Sequence, residues 1–279
     1  MRTLRKFTIL SIICSAVLIG CKDEKILKDN DLSFDTYKIG KKQHLLNDTT
    51  KAACNFQLTM TFPDKYPNEE LLKKIQKEFI ITFIGEKYEN LAPKEAANKY
   101  ETDYIADYMS LENIYKEEPE NSGAWMNYEQ ILDNKILFNK NDFLSYGVNL
   151  YTFTGGAHGM SSTVFQVLNL KTAAPIKLND IFEDRNLDKV GELIRMSLAQ
   201  KLGYNAISKL EDDGYDVAAI VPTENFYINE TGITWLYNPY EIAAYVVGKS
   251  EIIVPYADLL IYINEDSAVY PLAKMQSNN

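Results

Sequence analysis

Cys54-Asn55-Phe56-Gln57-Leu58-Thr59-Met60-Thr61-Phe62 alternates apolar and polar residues without a break. A period of two is that of a β-strand, whose successive side chains point to opposite faces. Cys54, Phe56, Leu58, Met60 and Phe62 are therefore expected on one buried face. In such a place the Cys54 thiol acts as a small core group rather than a reactive one.

Downstream the period lengthens. Asn68 stands as the cap of a helix whose Leu72, Ile75, Phe79 and Phe83 recur every three or four residues, with Gly85 just past its end. Pro93 opens a second helix with an inward stripe of Ala97, Tyr100, Tyr104, Tyr108 and Leu111. The glutamate-rich run from Lys116 to Gly123 interrupts the pattern and reads as an exposed loop. Strands return at Ile131–Phe138, Gly147–Phe153 and Ser162–Leu170, separated by Asn, Asp and Gly. Leu178-Asn179-Asp180-Ile181-Phe182 leads into a third helix with Leu187, Val190, Ile194, Leu198 and Leu202 on one side. Asn225–Ile228 and Gly232–Leu236 form a hairpin pattern. Asn238-Pro239-Tyr240-Glu241 has the order of a capping box and predicts a short helix that Gly248 stops. Glu251–Val254 is a last strand, and Ala257–Ile263 a terminal helix or strand. Helices and strands that do not alternate regularly predict an α+β fold, with mainly antiparallel sheets and packed helices in two small subdomains, 47–172 and 173–279. No internal repeat is visible.

The N-terminus has a separate logic. Arg2, Arg5 and Lys6 precede an uncharged apolar stretch, Phe7–Ile19, that is too short to span a bilayer comfortably, so residues 1–20 read as a signal peptide. Leu18-Ile19-Gly20-Cys21 resembles a lipobox, which implies acylation of Cys21 and a membrane held by lipid alone. Lys22-Asp23-Glu24 resembles the acidic export signal of surface lipoproteins in the Bacteroidetes. The expected location is thus the cell envelope, lipid-anchored to the outer membrane and surface-exposed. Residues 21–46 read as a polar tether, with His44 solvated within it. Losing Arg2, Arg5 and Lys6 takes the net charge from −10 to −13. Such a body excludes nucleic acid as a partner and favours cationic proteins. With Cys14 removed and Cys21 acylated, Cys54 has no disulfide partner.

The chemical inventory is short. Thr154-Gly155-Gly156-Ala157-His158-Gly159 lies between two predicted strands and forces a tight turn. It reads either as a hairpin corner with a hydrogen-bonded histidine or as a ligand site presenting amides and one imidazole. Only His44 and His158 occur, so no zinc site of three or four nitrogen and sulfur ligands can be drawn. Nucleophile-elbow, dinucleotide and Walker motifs are absent. Glu211, Asp212, Asp213 and Asp216 crowd around Gly214 without the spacing of a calcium loop and read as a solvated turn. No catalytic residue, metal or cofactor is assigned. Tyr227, Trp235, Tyr237, Tyr240 and Tyr245 lie close in sequence; some must be core, and any left exposed would make a protein-binding or sugar-stacking surface.

Two segments carry a resemblance. Gly155-Gly156-Ala157-His158-Gly159 with Asn169-Leu170 and Leu178-Asn179-Asp180-Ile181-Phe182, and then Tyr237-Asn238-Pro239-Tyr240-Glu241-Ile242-Ala243 with Gly248, resemble the paired domains of unknown function in RsiV-type anti-sigma factors and PdaC-type deacetylases. The resemblance runs from about Lys51 to Ile263. It implies an extracytoplasmic α+β module, which binds lysozyme in the RsiV type and accompanies the catalytic domain in the deacetylases. Neither an anti-sigma segment nor a deacetylase domain is seen in the sequence. The expectation is a non-catalytic binding or sensing module for a lysozyme-like cationic protein or for peptidoglycan, using Gly155, Gly156, His158, Tyr237 and Tyr240. The alternatives are an enzyme acting on cell-wall glycan near His158 and a structural subunit of an envelope complex.

Overall fold

The computed structural model describes residues 27–117 and 123–277. In it the alternating stretch lies in a long hairpin of two antiparallel strands, β1 (Ser33–His44) and β2 (Ala53–Lys65). Cys54, Phe56, Leu58, Met60 and Phe62 are all buried, as their period requires. The chain then crosses one face of the sheet as α1 (Glu69–Ile84), α2 (Pro93–Met109) and the short α3 (Glu112–Glu117). It returns as β3 (Tyr128–Lys140), parallel to β2. A parallel neighbour needs such a crossover, and this one lays the two long helices on the strand faces that the apolar residues occupy. β4 (Phe143–Thr154), β5 (Met160–Asn169) and the two-residue β6 (Ala174–Pro175) complete an antiparallel meander, in the order β1-β2-β3-β4-β5-β6.

Local chemistry explains both helices. The Asn68 side chain accepts from the Glu70 and Leu71 amides at 3.0 Å, Glu69 and Glu70 favour the positive end, and Gly85 at φ 100° ends α1. Ile75, Phe79, Ile80 and Phe83 are buried against the sheet. Pro93 occupies the first turn of α2, which buries Ala96, Ala97 and Tyr108 and packs Tyr100 and Tyr104 beside Phe56.

The segment read as a tether is in part a strand. Ser33–His44 pairs with β2 along its whole length, and Leu32 and Leu45 on either side are buried. The pattern was too polar to show this, because β1 is the sheet edge: Thr36, Lys38 and Lys42 face solvent, and charged residues there discourage pairing with other chains. Tyr37 and Ile39 on the other face reach the core, and Lys94 of α2 pairs with Asp35 at 2.8 Å. His44 is half-buried, its Nδ1 2.9 Å from Lys51 O, and is not a solvated linker residue. Cys21, the signal segment and most of the Lys116–Gly123 run lie outside the described residues.

A second sheet follows. After α4 (Leu178–Ile181), α5 (Asp184–Lys201) and α6 (Lys209–Asp212) come β7 (Phe226–Ile228), β8 (Gly232–Tyr237) and β9 (Ser250–Pro255), antiparallel with β8 central. The chain closes with α7 (Tyr256–Leu259) and α8 (Tyr270–Gln276). Val190, Ile194 and Leu198 of α5 share a core with Trp235, Ile252 and Val254, and that core also takes Phe138, Phe143 and Val167 from the large sheet. Ser145 Oγ donates to Ile228 O at 2.7 Å, and Phe165 meets Tyr227 edge-to-face at 4.8 Å. The small sheet therefore sits on the face of β4 and β5 opposite the helices. The architecture is α+β. No described helix is long and apolar enough to cross a membrane.

Candidate functional site

The turn between β4 and β5 is the starting point. Gly155 adopts φ +77°, and a Cβ there would fall on the backbone of Trp125. Gly159 is buried with the Tyr151 ring where its side chain would be, whereas Gly156 faces open space. Two of the three glycines thus have a steric reason, close approach of neighbouring groups. His158 is exposed, and its Nδ1 lies 3.0 Å from Gly159 O.

What His158 touches comes from the other sheet. Its ring stacks on Tyr245 at 4.6 Å and 27°, and Tyr245 lies 5.5 Å and 31° from Tyr240. Tyr245 Oη donates to Gly159 O at 3.1 Å, which locks the middle ring onto the hairpin. The outermost ring, Tyr240, is 58% exposed and sits at φ +73°, a conformation that is strained for a bulky residue.

The segment Asn238–Glu241 produces this geometry, and it is not the helix that its capping-box order predicts. Glu241 does reach back, its Oε2 accepting from Asn238 N at 2.7 Å. The Asn238 side chain, however, accepts from Thr163 N at 2.7 Å and donates to Thr163 O at 3.1 Å, so it is bound to β5 and leaves no cap for a helix. Glu241 N donates to Asn238 O at 3.1 Å, which makes a turn with Pro239 and Tyr240 at its centre. A positive φ at the second central position is the mark of a type II turn. The following residues stay extended, since Asp216 N donates to Ile242 O and Tyr215 bridges Ala243. Only Tyr245–Val247 coils, as one 3-10 turn that ends at Gly248 with φ +77°.

Of the residues expected at a binding surface, His158 and Tyr240 are brought into one stack. Gly155 shapes it from behind, and Gly156 lies open beside it. Tyr237 does not join them: it is buried, its Oη donates to Val221 O at 2.6 Å, and burial holds its pKa above the ordinary tyrosine value. β8 is covered on both faces, so all six of its residues are buried and alternation puts none at the surface. Trp235 is core as well.

Sequence reading grouped Tyr245 with the late aromatics but did not single it out as the link, and it passed over the apolar companions. Val246 is 90% exposed, and Trp125 and Met160 are exposed at the same end of the hairpin. An apolar Tyr-Val-Val run directly before a positive-φ glycine was the available signal. Acidic residues do not assemble into a site. Asp216 caps the 3-10 turn at Val217–Ala219, Asp213 accepts from Tyr204 Oη, and Asp212 pairs with Lys209. Among the described residues no group of three His, Cys, Asp or Glu could hold a metal, and no carboxylate bonds to His158.

Comparison with known proteins agrees with this architecture. A family model described as protein of unknown function (DUF3298) matches residues 179–257, and one described as deacetylase PdaC matches residues 47–161. No curated protein matches the chain. Among solved structures, a member of the DUF3298 family from Bacteroides fragilis is similar at 30% identity and a TM-score of 0.83, over 90% of this chain and 100% of that one. A DUF3298 family protein from Pseudomonas aeruginosa PAO1 shares the fold, with 16% identity and a TM-score of 0.55 over 84% of this chain and 95% of the other. With that identity across the whole Bacteroides structure, the chain belongs to the DUF3298 family, whose function is unknown.

Proposed function

We propose that this chain is a non-catalytic lipoprotein of the cell envelope that binds an extracytoplasmic ligand, a protein or a cell-wall glycan, on the His158–Tyr245–Tyr240 stack. One observation carries the reading: Tyr240 is held exposed in a strained backbone conformation, at the end of an aromatic stack built by two separate sheets. Strain and exposed aromatic area both work against stability, and each recurs where a surface is kept for recognition. The resemblance to RsiV-type domains supports a lysozyme-like partner, and the net charge of −10 favours a cationic one.

Calorimetric titration with lysozyme and with soluble peptidoglycan fragments tests it. One of the two is expected to bind, more weakly as salt rises if it is lysozyme. Tyr240→Ala is expected to reduce that affinity roughly 30-fold, about 2 kcal/mol for an aromatic anchor, with the melting temperature unchanged. Affinity that survives Tyr240→Ala would move the site elsewhere, and binding of neither ligand would remove both candidates.

A further inference from the structure

A half-buried lysine is tied to the same strand as the turn that carries Tyr240. Lys249, one residue past Gly248, extends back over the large sheet, and its Nζ donates to Thr163 Oγ1 at 2.5 Å. Thr163 Oγ1 donates in turn to Asn149 Oδ1 at 2.7 Å, and Asn149 Nδ2 donates to Asp133 Oδ1 at 2.7 Å. Asp133, Asn149 and Thr163 are direct partners across β3, β4 and β5, so they share a face. All three bonds run in one direction, from ammonium toward carboxylate. The bridging groups both accept and donate, which fixes the Asn149 amide and the Thr163 hydroxyl in one orientation.

No carboxylate pairs with the ammonium directly. Asp133 lies on β3, two strands from Thr163, and is linked to the ammonium through the Asn149 and Thr163 side chains. Among the described residues Lys249 makes no ion pair. Burial lowers its pKa from the ordinary lysine value, opposed by the charges of Asp133 and Glu251. Lys249 is half-buried and its one hydrogen bond within the described residues goes to Thr163 Oγ1, so a ligand at the surface can still accept from the ammonium. Thr163 is also the residue that holds Asn238, two positions before Tyr240. The lysine and the turn that carries Tyr240 are therefore both tied to one residue of β5.

We infer that Lys249 receives the carboxylate of an acidic glycan whose sugar ring continues the stack on Tyr240. The assignment rests on the binding role of that stack and adds the chemical class of ligand. Flat aromatic faces suit pyranose rings, and an ammonium with free donors suits a carboxylate. A neutral glycan would satisfy only the first.

Calorimetry of the purified protein with a hyaluronan tetrasaccharide, which alternates glucuronate with N-acetylglucosamine, and with the neutral tetramer of N-acetylglucosamine separates the two contributions. The carboxylated probe is expected to bind at least ten times more tightly. Lys249→Met is expected to abolish that preference while leaving the neutral affinity in place, Lys249→Arg to retain it, and Tyr240→Ala to weaken both probes. Equal wild-type affinities, or a preference that persists in Lys249→Met, would overturn the lysine assignment and leave the aromatic site standing. Binding of neither probe would overturn the assignment together with the glycan half of the proposed function. Loss of lysozyme binding in Lys249→Met, with glycan binding unchanged, would give the lysine to a protein partner and overturn it likewise. The wild-type comparison decides the matter even if a variant fails to fold.

Discussion

Gly155 and Gly156 are neighbours with different duties, and the difference is measurable. Gly155 combines a left-handed φ of +77° with the backbone of Trp125 against its α-carbon, whereas nothing lies near Gly156. Gly155→Ala should cost upwards of about 2 kcal/mol, since the left-handed conformation alone costs roughly 1–2 kcal/mol and the collision adds to it. Gly156→Ala should stay within about 0.5 kcal/mol. Denaturant unfolding of the two variants checks this, and equal effects would contradict the packing described. The glycine run was visible in sequence, but which of its members was obligatory was not, because the atoms that crowd Gly155 come from residue 125. Cys54 was legible from alternation alone: it is fully buried, and burial pushes its thiol pKa up to about 11. Asn238 was misread for the opposite reason. Its local pattern is that of a helix cap, and a β5 backbone 75 residues away competes for the same side-chain atoms.

Elements show the same division between local and distant causes. α1 and α2 are foretold by their own residues, through a capping asparagine, a first-turn proline and apolar positions at helical spacing. β1 is not, since an edge strand that must stay soluble keeps polar residues on its open face and only Phe34, Tyr37 and Ile39 toward the core. Its contribution should nevertheless be large. A chain starting at Ala53 loses every β1–β2 hydrogen bond and uncovers the edge of β2. It should lose the cooperative thermal transition and aggregate, whereas removal of a mere tether would leave the transition where it was. Scanning calorimetry on the shortened chain distinguishes the two. The short helix expected after Asn238 and the turn found there differ by tertiary hydrogen bonds, and that turn is what presents Tyr240.

At the scale of the whole molecule, the two sheets meet so that a loop of one completes the surface of the other: His158 belongs to the first, Tyr240, Tyr245 and Lys249 to the second. Placement in the envelope depends on the other end of the chain. Mass spectrometry of protein extracted from membranes should find an N-terminal Cys21 carrying acyl chains, with residues 1–20 gone. A bare thiol, or an intact leader, would end the lipoprotein proposal while leaving the aromatic site untouched. The amino-acid sequence alone determined the α+β class, the buried face of β2, the helix boundaries at Asn68 and Pro93, and the tight turn at Gly155–Gly159. Each of these follows from periodicity, capping or backbone freedom within a few residues. Tertiary structure alone decided that β1 is a strand, that Tyr237 is core while Tyr240 is surface, and that Lys249 stands over Thr163. Those outcomes are set by contacts between residues tens of positions apart, and hydrogen bonds and packing at that separation leave no period in the chain to read.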